Sequence, residues 1–173
     1  ESVKRRAADV KSLKGRQTLI SELYERFFQN AFPLMAQKLG IVYTPVEVVD
    51  FIVHSIEDIM KREFNSSLGK EGVHILDPFT GTGTFISRIL QSGFLSNDQI
   101  KKKFQSEIHA NEIVLLAYYI ACINLEAVYD DIVKENQYQP FEGIVLTDTF
   151  QLYEPESEKI ANLLPDNSKR RNR

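Results

Sequence analysis

Three short runs, Val73-His74-Ile75-Leu76-Asp77, Glu107 to Asn111 and Gly143 to Thr147, alternate with longer helical patterns, and this alternation constrains the fold more than any other feature. Apolar runs of this length bounded by turn residues read as strands. The first runs into a Gly-rich turn and a helix expected from Thr84 to Leu90, the second into a helix expected from Ile113 to Leu125. Strands separated by helices align in parallel through right-handed crossovers, so a doubly wound α/β fold is expected. The Ile113–Leu125 helix is apolar on nearly every side, which predicts that it is sandwiched between the sheet and a neighbouring helix. The polar stretch Ser96 to Gln105 reads as a surface insertion.

Upstream, the first sixteen residues are rich in Lys and Arg and read as a solvated helix or linker. Leu19, Leu23, Phe27, Ala31 and Leu34 then follow helical spacing, with Pro33 expected to kink the element. Gly40 to Tyr43 is a short extended break. Thr44 is expected to cap the next helix, with Pro45 in its first position and Glu47 as the capping-box carboxylate. Val49, Ile52, Val53, Ile56, Ile59 and Met60 form its apolar face, and Asn65 to Gly69 end it. Past Tyr153 the chain turns polar. The boundaries read as 1–39, an N-terminal helical extension, 40–153, the α/β core, and 154–173, a polar tail. The start, Glu1 to Arg6, has neither Met nor a signal-type apolar core and reads as an internal cut from a longer polypeptide.

Composition removes several function classes. Acidic residues outnumber basic ones by 24 to 21, which gives no global signal for a polyanion partner. A single cysteine, Cys122, forms no internal disulfide and fits a reducing, cytoplasmic setting. His54, His74 and His109 lack further ligands at metal-binding spacing, so no metal is expected. The longest apolar stretch, Ile113 to Ile123, falls short of the roughly 20 residues that cross a bilayer, and no membrane partner is expected.

The chemistry concentrates at strand ends. In Asp77-Pro78-Phe79-Thr80-Gly81-Thr82-Gly83-Thr84-Phe85, two glycines let a ligand approach the backbone, and the free N–H groups of the helix start suit a carboxylate or phosphate. Such ligands sit beyond the carboxyl ends of the strands. A tight turn using glycine for geometry alone is the plain alternative. A phosphate loop is disfavoured, because no Lys-Ser/Thr follows the second glycine and G-x-G-x-x-G spacing is absent. Glu112, ending the second strand, can accept from both hydroxyls of a ribose, or Asn111-Glu112 can simply cap the following helix. Asp148 ends the third strand ahead of Thr149 and Phe150, offering an acceptor and an aromatic edge to an adenine ring; alone it also suits a turn.

With these residues in order, the chain resembles the gamma-type N6-adenine DNA methyltransferases of restriction–modification systems, above all large single-chain type I-like enzymes that join a helicase-type ATPase to a methyltransferase. Gly40 to Pro45 resembles that family's motif X, Asp77 to Gly83 motif I, Asn111-Glu112-Ile113 motif II, and Asp148-Thr149-Phe150 motif III. The resemblance implies a Rossmann-like, S-adenosylmethionine-dependent methyltransferase fold with a truncated parallel sheet, the cofactor-binding part spanning 40–153. It implies that Tyr43, Thr44 and Pro45 line the methionine end of the cofactor, with Thr80, Gly81, Thr82 and Gly83 beneath it. By the same resemblance Asp77 holds the amino group or orders the Pro78-Phe79 turn, Glu112 with Ile113 binds the ribose, Asp148 and Thr149 face the adenine, and Phe150 packs on its ring.

The family's catalytic Asn-Pro-Pro-aromatic run does not occur in this sequence. It is expected downstream of Arg173, and this piece alone is expected to transfer no methyl group. The implied partners are DNA, a helicase-type ATPase and a target-recognition domain of the same polypeptide. The alternatives are a noncatalytic docking module, an RNA or protein methyltransferase, and a nicotinamide-binding oxidoreductase, the last disfavoured by the glycine spacing.

Overall fold

The computed structural model describes residues 44–135 and 137–150, together with Arg26, Asn30 and Ala31. Those three are helical, as the spacing around Leu23 to Leu34 predicts. The remainder of the expected N-terminal extension, the extended break including Tyr43, and the tail after Phe150 lie outside the described residues.

Within them the chain forms α1 (Val46–Phe64), β1 (Ile75–Asp77), α2 (Thr84–Gln91), α3 (Asn97–Lys102), a π turn (Lys103–Glu107), β2 (Ile108–Glu112), α4 (Leu115–Val133) and β3 (Ile144–Leu146). The strands pair in parallel in the order β1-β2-β3. Asp77 lies opposite Ala110, Ala110 opposite Ile144, and Glu112 opposite Leu146, so Asp77 and Glu112 belong to one sheet face. That face carries Ile108, Ala110 and Ile144, all fully buried against a core built by Val49 and Val53 of α1, Ile86 and Leu90 of α2, and Ala121, Leu125 and Val128 of α4.

The start of α1 departs from the expected capping box. The helix begins at Val46, Pro45 precedes it in extended geometry, and no side chain caps it; Val48 and Val49 donate to the Pro45 carbonyl instead. Thr44 and Glu47 therefore stand one position too far from the orphan N–H groups to serve as the box. The buried face of α1 is also narrower than its apolar pattern. It consists of Val49, Val53 and Glu57, whereas Ile56 and Ile59 are exposed. Glu57 displaces them because the chain, after the left-handed Asn65, turns back over the helix and brings the Leu68 N–H to 2.8 Å from the Glu57 carboxylate. Without that carboxylate the buried Leu68 N–H would lose its acceptor, at a cost of about 1–3 kcal/mol.

Two further expectations are corrected. Residues 96–105 are no surface insertion: Ser96 and Gln99 form a reciprocal capping box on α3, and the segment buries Ile100, Lys103 and Phe104. Helix α4 starts two residues later and ends eight residues later than predicted, because Leu125, Val128 and Tyr129 continue the buried stripe. It packs on α2, α3, β2 and β3 along one side, while Leu115, Leu116, Tyr119 and Ile123 stay exposed, so the helix is covered on one face rather than sandwiched.

The π turn carries a buried ion pair. Lys103 has no exposed surface and Glu107 is only 4% exposed. The Lys103 Nζ donates to Glu107 Oε2 at 2.6 Å, to the Lys70 carbonyl at 2.7 Å and to the Val73 carbonyl, while Glu107 Oε1 accepts the Gly72 N–H at 3.0 Å. Every strong donor of the ammonium is used, and the approach to β1 is fastened to the approach to β2. Glu107→Gln keeps an acceptor for Gly72 but leaves Lys103 buried without its counter-charge, and is expected to cost about 3 kcal/mol in urea unfolding. An unchanged unfolding midpoint would show that the pair contributes nothing to stability.

Candidate functional site

The turn between β1 and α2 is built on its own backbone. The Thr80 hydroxyl donates to the Asp77 carbonyl at 3.0 Å, the Thr80 N–H to the Asn111 carbonyl at 3.0 Å, and the Gly83 N–H to the Thr80 carbonyl at 3.0 Å. Gly81 and Gly83 hold φ of 58° and 84°, values that L side chains rarely adopt. A Cβ on Gly83 would also press on the Leu125 side chain at 3.2 Å, whereas the space beside Gly81 is open. One glycine therefore serves helix packing and the other leaves the backbone accessible.

Glu112 fastens this turn to the end of β2. Its Oε2 accepts the Gly81 N–H and its Oε1 the Val114 N–H, both at 2.7 Å. Val114, not Asn111, precedes the first residue of α4, and no side chain caps that helix, so the helix-cap reading of Asn111-Glu112 is replaced by a bridge between two turns. The third strand end joins in. The Thr149 hydroxyl donates to the Pro78 carbonyl at 2.6 Å, the Phe150 N–H to Asp148 Oδ1 at 2.9 Å, and the Phe79 and Phe150 rings lie 5.5 Å apart. Ile113, Phe79 and Phe150 are left 51%, 63% and 84% exposed at this edge.

Sequence reasoning missed Asn124. It is buried on α4 among Ala121, Leu125 and Val128, and its Nδ2 donates to the Thr82 carbonyl at 3.0 Å. A lone amide inside the apolar run Ile120 to Leu125 was the available signal, since a buried polar group needs a partner.

The electrostatics are unbalanced. Asp77 accepts the Phe79 N–H on Oδ1 at 3.2 Å, but its Oδ2 is buried without a hydrogen-bond partner. Burial pushes the Asp77 carboxyl above its ordinary pKa, and the Phe79 N–H offsets this only in part. Burial likewise pushes Glu112 upward against the N–H groups of Val114, Gly81 and Ile113, and the neighbouring charge of Asp77 adds to the rise. Two carboxylates thus lie near one another, with no cation bonded to either among the described residues. Among the described residues no cluster of three metal-capable side chains occurs, and no helix is long and apolar enough to cross a membrane.

Of the residues singled out from sequence, Thr44 and Pro45 precede α1, whereas Asp77 to Gly83, Glu112, Ile113 and Asp148 to Phe150 meet at the carboxyl edge of the sheet. Residues 15–167 match the family described as N-6 DNA Methylase. Several solved structures are similar to the chain, among them the following three. A DrdV–DNA complex shares 36% identity over 96% of this chain, with a TM-score of 0.85. A nuclease-deletion mutant of the Type ISP restriction–modification enzyme LlaGI, in complex with a DNA substrate mimic, shares 49% identity over 94%, with a TM-score of 0.77. The ATP-dependent Type ISP restriction–modification enzyme LlaBIII bound to DNA shares 49% over 94%, with a TM-score of 0.78. The chain spans 16%, 13% and 11% of those three proteins respectively. No curated protein matches it.

Asp77 supplies a test of the electrostatic account. Its folded pKa lies above the unfolded value, so the ionised form penalises folding at neutral pH, and that penalty disappears as pH falls through the folded pKa. Asp77→Asn is expected to raise stability by about 1 kcal/mol at pH 7, as a neutral group relieves the unpaired charge. The gain should shrink on acidification; chemical unfolding across that range that shows no gain at pH 7 would refute the assignment.

Proposed function

We propose, from the premise that the chain belongs to the N-6 DNA methylase family, that residues 40–153 form the S-adenosylmethionine-binding part of a DNA adenine-N6 methyltransferase within a longer restriction–modification polypeptide. One arrangement carries the reading: exposed Phe79, Ile113 and Phe150 lie at the sheet edge that holds half-buried Asp77 and buried Glu112, neither of which is ion-paired among the described residues. Apolar walls with a few convergent polar groups suit a small ligand with flat and charged parts.

The residues fit that cofactor. An ammonium beside Asp77 gives the buried Oδ2 the partner it lacks. Each oxygen of Glu112 holds one backbone N–H and retains a lone pair, so the carboxylate can accept from two ribose hydroxyls without releasing either turn. Asp148, oriented by the Phe150 N–H, accepts from an adenine amino group, and Phe150 offers its ring face. Tyr43, Thr44 and Pro45 are assigned to the methionine end. When bound, S-adenosylmethionine supplies an electrophilic methyl group on a sulfonium sulfur. The groups that hold the target adenine are assigned to the longer polypeptide, because no Asn-Pro-Pro-aromatic run occurs in the 173 residues. DNA, an ATPase of helicase type and a target-recognition domain are the proposed partners. The likeness to LlaGI and LlaBIII supports them.

Calorimetric titration with S-adenosylmethionine tests the reading, and two variants resolve the roles. Asp148→Ala removes only a local turn bond and is expected to weaken binding about tenfold with little change in melting temperature. Glu112→Ala frees the Gly81 and Val114 N–H groups, so it should abolish measurable binding and also destabilise the fold by about 2 kcal/mol. A folded wild-type protein giving no heat at millimolar ligand would refute the assignment.

A further inference from the structure

The two segments assigned to the methionine end come from different helices, and one side-chain pair spans them. The guanidinium of Arg88 on α2 grips Asp50 on α1 with both prongs, Nε to Oδ1 at 2.5 Å and one terminal nitrogen to Oδ2 at 2.8 Å. Its remaining nitrogen donates to Gln91 at 3.0 Å, which fixes the plane of the fork. The side chains are 18% and 33% exposed, resting over a core that includes Val49, Val53, Ile86 and Leu90.

Position along the helices gives the pair its meaning. Asp50 stands four residues beyond the start of α1 at Val46, and Arg88 four beyond the start of α2 at Thr84. At the helical rise the fork therefore sits about 6 Å from each N-terminus. Farther along, His54 meets the Phe94 ring edge-on at 4.8 Å and Lys61 lies over the same ring at 5.6 Å, so the helices run side by side in the same direction. Both N-termini thus face the carboxyl edge of the sheet, with Thr44-Pro45 extending one and Thr80 to Gly83 the other. No side chain caps α1; among the described residues, the buried Val49 and the Asp50 fork anchor its first turns.

We propose that Asp50 and Arg88 are a positioning pair that sets the gap between the Thr44-Pro45 segment and the Gly81 to Gly83 turn, and so preorganises the methionine end of the cofactor site. The inference rests on the reading given under Proposed function. A fork of this kind restricts both helices more tightly than a lysine pair would, because guanidinium and carboxylate match in plane and spacing.

The test compares S-adenosylhomocysteine with 5′-methylthioadenosine, which keeps the adenine, ribose and sulfur but lacks the amino-acid end. Asp50→Ala and Arg88→Ala should each lower affinity for the first about tenfold while leaving the second within about twofold, and the exchanged pair D50R/R88D should recover much of the loss. Hydrogen exchange on the unliganded variants should be faster at amides 46–50. Equal losses for both ligands would mean a general structural role, and no loss would mean a passive ion pair; either overturns the proposal. If wild-type protein bound neither ligand, the cofactor reading would fall, and unchanged exchange at 46–50 would still overturn the positioning role.

Discussion

The Glu112 carboxylate is the contact on which the carboxyl edge of the sheet depends. The backbone donors of Gly81 and Val114 point toward the same small volume, and one side chain satisfies both. Without it two turns would have half-buried N–H groups that lose their acceptor, each at a cost of about 1 kcal/mol. Glu112 also supplies, through its backbone carbonyl, the acceptor for the Thr147 N–H, so the third strand end is aligned through the same residue. The Thr149 and Asn124 bonds to Pro78 and Thr82 then fix the two flanks of a turn that Glu112 has already placed.

What was legible in the sequence follows from how local the cause is. The three strands and the helix after Gly83 were readable because apolar runs and glycines act within a few residues. The meeting of Asp77, Glu112 and Asp148 at one edge followed from parallel topology, which leaves all the carboxyl ends on one side. The misread parts depend on distant partners. Glu57 belongs inside α1 only because Leu68 returns to it, and Lys103 belongs inside the core only because the Lys70 and Val73 carbonyls meet it there. A lysine and a glutamate in a polar-looking stretch resemble surface residues until those acceptors are known. The capping box expected at Thr44 exists in form at Ser96-Gln99, where spacing and geometry agree.

Strand β2 is bounded by two buried glutamates, Glu107 immediately before it and Glu112 as its last residue. Each reaches across to the backbone beside β1, Glu107 to Gly72 at its entry and Glu112 to Gly81 at its exit. The geometry is nearly the same at the two ends; the charge is not. The Lys103 hydrogen bond, helped by the Gly72 N–H, holds the Glu107 carboxyl below its ordinary pKa, so its stabilisation is present above the unfolded-state value and lost as pH falls through the folded one. Glu112 is shifted the other way, and with Asp77 beside it the fold carries a penalty at neutral pH that protonation would relieve.

That contrast separates scaffold from site by physics alone. A glutamate needed only to tie two backbone segments together can be neutralised by a buried lysine, as Glu107 is, and the amino edge of the sheet gains stability from it. At the carboxyl edge the same tie is made without a cation among the described residues, and Asp77 keeps a buried oxygen with no donor there. Under the cofactor reading proposed above, a bound ligand would supply the partner that this carboxylate oxygen lacks. The two ends of β2 are thus opposite in electrostatic balance, and the exposed rings of Phe79 and Phe150 lie at the end whose carboxyls are pushed upward.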